Sequence, residues 1–275
     1  MMPASNALLL TLALWKLYMP PNAVLHGAEF DRLMRWNLIV LLVCFAASHV
    51  WLIAAMVRRK RAVQAGAGSP ASLLRWILLP LLIALYVAMA VSAQHMWASN
   101  RYQGASLEAM QVEVVGEQFQ WYFRYPGTDA KFGITRPELV NAAAGNPLGI
   151  DPADEAGRDD LVSSVLMVPV GREVDLRIRS LDIIHGFFVP AMRLKQNAVP
   201  GMLLHVHFTP TAVGTYPILC SQVCGIGHAR MQALLRVVPQ ADYDRWLAGR
   251  EQAHARVMNS SSSMSVSTSA QGGVQ

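Results

Sequence analysis

The run Cys220-Ser-Gln-Val-Cys224-Gly-Ile-Gly-His228-Ala-Arg-Met231 places two thiols, an imidazole and a thioether within twelve residues. These are soft or borderline ligands, a set that favours copper over the oxygen-loving cations. Cysteines four apart on a tight turn can aim both sulfurs at one point. Gly225 and Gly227 then let the backbone fold back, so that His228 and Met231 reach the same point. A mononuclear blue-copper site takes one cysteine, two histidines and a weak axial methionine. The second thiolate is one more than such a site uses and suggests two metals bridged by two sulfurs.

Outward from this run the chain reads as short strands. Glu113-Val-Val-Gly116, Trp121-Tyr-Phe-Arg-Tyr125, Val165-Leu-Met-Val168, Glu173-Val-Asp-Leu-Arg-Ile178, Leu203-Leu-His-Val-His-Phe208 and Leu234–Val238 are β-branched or aromatic, partly alternating, and bounded by Gly and Pro. Several short strands with turn signals between them indicate a β-sandwich or barrel over 101–245. Gly127–Asp160, rich in Pro, Gly, Ala and Asp, reads as a long surface excursion. The Ser/Thr/Gly/Gln-rich end, 259–275, reads as a disordered tail.

The first hundred residues have a different texture. Hydrophobic residues make up 53% of the chain and charged residues 15%, an apolar balance that points to a membrane. Trp36–Val57 is a nearly unbroken apolar run long enough to cross a bilayer as a helix, and 73–97 is a second. The loop between them, 58–72, opens with Arg58-Arg59-Lys60-Arg61, which makes it cytoplasmic. Both termini and the β domain then lie on the far side, where disulfides persist and copper can be loaded. Residues 1–100 hold 8 Lys+Arg against 2 Asp+Glu, and the remainder 15 against 16, so the net charge of +5 belongs to the hairpin. A nucleic-acid function, which wants a basic patch on the folded domain, loses its support. Within the N-terminal segment, 1–35, residues 7–18 read equally as a signal-peptide core or an interfacial segment. Cys44, alone in an apolar run, reads as a small hydrophobe, and no Cys-x-x-Cys-His is present to hold haem.

A second imidazole completes the metal site, and the strand-end candidate is His185 in Asp182-Ile-Ile-His185-Gly-Phe-Phe-Val-Pro190. This segment, with Lys195-Gln-Asn-Ala-Val-Pro-Gly201 and the cysteine run, resembles subunit II of the haem–copper cytochrome c oxidases. Trp121-Tyr-Phe-Arg-Tyr125 is similar to that family's aromatic segment, and Trp76-x-x-x-Pro80 to the start of its second membrane helix. The resemblance covers about residues 20–245 and implies a two-helix transmembrane hairpin followed by an exported all-β cupredoxin-like domain.

It further implies a dinuclear copper centre, Cu(A). Cys220 and Cys224 would bridge both metals, and His185 and His228 would each supply a ring nitrogen. Met231 would be a weak axial ligand, and the backbone carbonyl of Gln222 would serve the other copper. An exposed Trp121 would receive the electron from cytochrome c. The family usually has Glu between its cysteines, whose carboxylate binds Mg²⁺ at the boundary with subunit I. Gln222 keeps the carbonyl but has no carboxylate, so the resemblance does not carry that Mg²⁺ over. A Glu that opens a proton path in many members is Leu73 here, and Asn197 replaces a common Asp, marks of a divergent bacterial branch.

The implied function is an electron-accepting subunit in the bacterial cell membrane, partnered by subunit I and by subunit III, with no haem and no O₂ chemistry of its own. The acidic residues Asp151, Asp154, Glu155, Asp159, Asp160 and Asp182 read either as solvated loop or as a surface steering a basic cytochrome c. His205 and His207, two apart on one strand face, read more plainly as a solvated face than as a second metal site. The rivals are a Cu(A)-bearing subunit of a nitric oxide reductase, a membrane-anchored copper carrier, and a copper-free quinol oxidase subunit, which the intact ligand set opposes. Two cysteines four apart can also form a disulfide, and zinc is opposed by the methionine.

Overall fold

The computed structural model describes residues 19–65, 71–98 and 103–271. The chain divides into two compact units. One is His26–Gln103; the other joins the chain up to Leu25 with the chain from Gly104 onward.

The first unit is a helical hairpin, α1 (Gly27–Ala65) and α2 (Ala71–Trp97). Both are long and apolar enough to cross a membrane, over Gly27–Arg58 and Trp76–Trp97. The helices outrun the apolar stretches read from sequence. α1 starts nine residues before Trp36 and continues through the Arg58–Arg61 cluster to Ala65, so most of the expected loop is helix. Arg, Lys, Gln and Ala are strong helix formers, and nothing between Arg58 and Ala65 is Gly or Pro.

The second unit is a sandwich of two five-stranded sheets. Its strands are β1 (Met110–Glu117), β2 (Gln120–Tyr125), β3 (Leu161–Ser163), β4 (Val165–Pro169) and β5 (Val174–Ser180). They are followed by β6 (His185–Val189), β7 (Leu194–Ala198), β8 (Leu204–Phe208), β9 (Gly214–Cys220) and β10 (Gln232–Val238). The sheet orders are β3-β2-β1-β5-β8 and β4-β10-β9-β6-β7. β1 pairs parallel with β5 and β4 with β10; the other pairings are antiparallel. Period-two alternation aims one face of each sheet inward. Val112 and Val114, Trp121 and Phe123, and Leu176 and Ile178 meet Leu166 and Val168, Phe187 and Val189, Ile218, and Leu235 in one core.

The excursion between β2 and β3 holds only single 3₁₀ turns and isolated bridges. It is pinned to the outer face of its sheet by Arg124, which is 1% exposed. Arg124 Nε donates to Asp160 Oδ2 at 2.9 Å, Nη1 to Glu113 at 3.3 Å, and Nη2 to Gly133 O at 2.6 Å. Glu113 also accepts from Arg179 at 2.9 Å.

One N-terminal expectation changes. Residues 7–18, read as a signal or interfacial segment, lie outside the described residues. Residues 20–25 are part of the β unit: Ala23 and Val24 are buried, Val24 bridges Pro210, and Ala23 exchanges backbone hydrogen bonds with Ala191 and Thr211. At the other end, α3 (Gln240–Gln271) carries the chain through the stretch expected to be disordered. No Gly or Pro interrupts Arg250–Gln271, so no residue there breaks the helix.

Candidate metal centre

β9 ends at Cys220 and β10 begins after Met231, and Cys220 N–H donates to Met231 O at 3.1 Å to close the loop between them. Gly225 takes φ +135°, open to glycine. β6 brings His185 to this loop. Ser221 N–H donates to Gly186 O at 2.8 Å, and a Cβ on Gly186 would collide with Ser221 Oγ, so glycine alone lets the strand and loop approach so closely.

The sulfurs of Cys220 and Cys224 lie 3.8 Å apart, unbonded. Cys224 Sγ is 3.7 Å from His228 Nδ1 and 3.8 Å from Met231 Sδ. The carbonyl oxygen of Gln222 is 3.1 Å from Cys220 Sγ. Ligand atoms of His185, Cys220 and Cys224 all lie within 4.8 Å of one another, the one such cluster among the described residues. All six positions read from sequence as copper-facing are therefore brought together, on two neighbouring strands and one loop.

Two observations fit this pocket to a soft metal. His185 is 0% exposed; its Nε2 donates to Asp182 Oδ1 at 2.8 Å, while its Nδ1 is buried with no partner. A buried ring nitrogen left as a lone pair in a cluster with two sulfurs suits a soft-metal ligand. Burial and the neighbouring Cys220 sulfur push the Cys224 thiol up to about 11, so two ionised thiols so close require a cation between them.

Trp121 is not where the sequence reading put it. It is 0% exposed, packed edge-on against His185 (ring centroids 5.9 Å) and Phe187 (5.3 Å). The exposed aromatic is Phe119, at the turn between β1 and β2, 37% exposed, with its ring against Gly225 and Gly227 of the ligand loop. Neighbouring Gln118 straps the same turn to the centre, with Nε2 donating to Cys224 O at 2.6 Å and N–H to Asp182 Oδ2 at 2.8 Å. The signal available was the polar Glu117-Gln-Phe-Gln120 stretch, a turn that leaves its aromatic outside.

The acidic run serves the chain itself. Asp160 is 2% exposed and bound to Arg124, which withdraws it from any docking surface. Asp159 accepts from Thr128 N–H and Oγ1, Asp154 from Ile134 N–H, and Asp151 from Arg136 at 2.7 Å. Asp182 is committed to His185 and Gln118, while Glu155 is exposed. His205 and His207 pair with separate carboxylates, Asp175 and Glu173, each at 2.9 Å.

Residues 110–238 match the family model described as cytochrome c oxidase subunit II, periplasmic domain. The β domain is similar to this family over that range. Every residue read from sequence as copper-facing lies inside the matched range, and both apolar helices lie outside it. The chain is 38% identical over 142 residues to the alternative cytochrome c oxidase subunit 2 of Bradyrhizobium diazoefficiens, covering 51% of this chain and 50% of that protein. It is 30% identical over 180 residues to cytochrome c oxidase subunit 2 of Cereibacter sphaeroides, covering 62% and 58%. The chain thus spans about half the length of these curated relatives. Among solved structures, the periplasmic domain of subunit II of cytochrome oxidase of Bradyrhizobium japonicum is similar at 24% identity and a TM-score of 0.39, covering 53% of this chain and 95% of that one.

Proposed function

We propose that this chain is the electron-accepting subunit of a respiratory haem–copper oxidase, taking electrons from cytochrome c or a similar periplasmic donor and passing them to haem in subunit I. The observation that carries the reading is the bare, buried Nδ1 of His185 facing two sulfurs. Cys220, Cys224, His185, His228, Met231 and the Gln222 carbonyl would together hold a dinuclear copper centre. Such a centre would supply a one-electron relay.

The chain's own residues hold that arrangement still. Asp182 fixes the His185 tautomer, Gly186 admits the ligand loop onto β6, and buried Trp121 packs against the imidazole. Electron input is assigned to Phe119, which combines exposure with contact to the ligand loop. The side chain of Gln222 offers no carboxylate for Mg²⁺, so none is assigned. The hairpin anchors the domain in the bacterial cell membrane beside subunit I, with subunit III as a further partner. Both chain ends are assigned to the outer face, and O₂ reduction and proton translocation to subunit I. The full burial of His185 and Met231 opposes a carrier, which must exchange its metal.

The test is the full chain in detergent, loaded with copper, with copper per chain measured and the EPR spectrum recorded. Two coppers sharing one electron equally is the expected result. A single localised Cu(II), or metal lost to a weak chelator, overturns the reading.

A further inference from the structure

Gln118 touches both halves of the metal centre without being one of its ligands. It lies in the turn between β1 and β2, which belong to the sheet opposite β6 and β9. Its backbone N–H donates to Asp182 Oδ2 at 2.8 Å, and the other oxygen of Asp182 holds the ring of His185. Its side chain reaches the ligand loop, where Nε2 lies 2.6 Å from Cys224 O. A carbonyl oxygen only accepts, so the amide end that faces it is the NH₂. One residue thus ties the segment that carries His185 to the loop that carries the cysteines. Gln118 is exposed, so core packing does not account for a glutamine here.

The side-chain bond falls on a peptide that the backbone alone holds weakly. The Cys224 carbonyl shares its peptide plane with Gly225 N–H, and the ψ of Cys224 and the φ of Gly225 set that plane. Gly225 sits at φ +135°, and glycine has open conformations on either side of that value. No backbone N–H among the loop hydrogen bonds of the described residues donates to Cys224 O. The sulfur of Cys224 is the one that stands 3.8 Å from Cys220 Sγ, 3.7 Å from His228 Nδ1 and 3.8 Å from Met231 Sδ. A shift of this residue therefore disturbs three ligand contacts at once. Turn and loop meet with no side chain between them. A Cβ on Gly225 would lie 3.0 Å from Gln118 Nε2, and one on Gly227 would lie 2.4 Å from the Phe119 ring. The amide–carbonyl bond is the polar fastening of that contact.

We infer that Gln118 is a positioning residue for the metal centre: its amide locks the Cys224–Gly225 peptide and so fixes the Cys224 sulfur against the other ligands. This rests on the copper reading of the same site. The full chain in detergent, loaded with copper, tests it. Gln118→Met keeps the length and bulk of the side chain but has no N–H. It is expected to weaken copper binding about 3- to 10-fold in a chelator competition, as for one lost hydrogen bond. At saturating copper its EPR and visible spectra are expected to shift from those of the parent, which a loss of stability alone does not produce. Gln118→Lys, whose ammonium restores a donor, moves the spectra back toward the parent's. Gln120→Met, the same exchange on the other exposed glutamine of this turn, leaves affinity and spectra unchanged. Spectra of Gln118→Met that superimpose on the parent's at full loading, or an equal shift in Gln120→Met, overturn the inference. A parent that holds a single localised Cu(II) sinks the copper reading itself; a parent with two coppers sharing one electron and an unaltered Gln118→Met sinks this inference alone.

Discussion

Asp182 decides which nitrogen of His185 faces the sulfurs. Its Oδ1 holds the hydrogen on Nε2, leaving Nδ1 as a lone pair directed at the thiols. Asp182→Ala frees the ring to change tautomer and tilt, and copper affinity is expected to fall about 10- to 100-fold. A chelator competition on the full chain measures this, and Asp182→Asn, which keeps an oxygen acceptor, is expected to lose less. Away from the centre, hydrogen bonds from Ser106, and then His207, hold the Glu173 carboxyl below its usual range. A depressed carboxylate adds stability above its unfolded pKa and loses it as pH falls through the folded value. The parent should therefore lose more stability than Glu173→Gln as pH drops from neutrality to below about 4.3, the ordinary Glu value; coincident acid-melting curves would refute that role. At this scale the clustering was legible, because five of the six residues read as copper-facing lie in one run of soft and borderline ligands. Trp121 was misplaced for a geometric reason. It shares the inward parity of Phe123 and Tyr125, whereas Phe119 sits in the two-residue turn closed by Glu117 and Gln120, where strand parity stops.

The strand ribbon that carries the ligands is fastened at its far end by the chain before the first helix. β6 and β9 run antiparallel, with His185 and Cys220 at one end. Ala191 and Thr209–Thr211, which hold Ala23–Leu25, lie past the other end. Arg193 clamps this strap, donating to Pro20 O at 3.0 Å and to Pro190 O at 2.7 Å. Its φ of +50° is costly for a side-chain residue. Arg193→Ala is expected to lose about 1–3 kcal/mol, and Arg193→Gly, which loses the same bonds but relaxes the backbone, about 1 kcal/mol less. Thermal unfolding of the two variants checks the order, and Gly no better than Ala would refute the strain argument. Opposite in kind is Asp160, whose removal leaves Arg124 charged and buried. Asp160→Ala, which leaves Glu113 as the remaining carboxylate on buried Arg124, is expected to cost about 3 kcal/mol in a denaturant titration, far beyond the effect of a solvated docking residue. Strands with clean alternation were legible in the sequence. β9 was not, because Pro217 argues against a central strand. The fold tolerates it because β6 pairs with β9 only at Leu219 and Cys220, leaving Pro217 without a neighbour on that side. The strap was illegible because its partners lie about 170 residues away.

Connectivity at the scale of the whole chain constrains orientation. The segment ending at Leu25 and the chain from Gly104 belong to one folded unit, and the intervening hairpin leaves it and returns. Both ends of the hairpin must then lie on one side of any membrane that it crosses, which requires an even number of crossings and agrees with two spans. Charge predicts the side: Arg58, Arg59, Lys60 and Arg61 stand between the two apolar runs, and the positive-inside rule would put that loop in the cytoplasm. In a background lacking Cys44, Cys220 and Cys224, a single cysteine in place of Ala62, just past the basic cluster, is expected to resist a membrane-impermeant maleimide in intact cells and to react once the membrane is opened. A cysteine in place of Leu107, fully exposed on the β unit, is expected to react in intact cells. Both sites reacting equally from outside would mean that the hairpin does not cross. The reverse pattern would place the β domain in the cytoplasm, away from any periplasmic donor. The charge rule and the shared β unit constrain different things, one the side of the loop and the other the pairing of the ends. Labelling Asn22→Cys, in the strap, tests the second alone: it must behave as Leu107→Cys does, whichever side that proves to be.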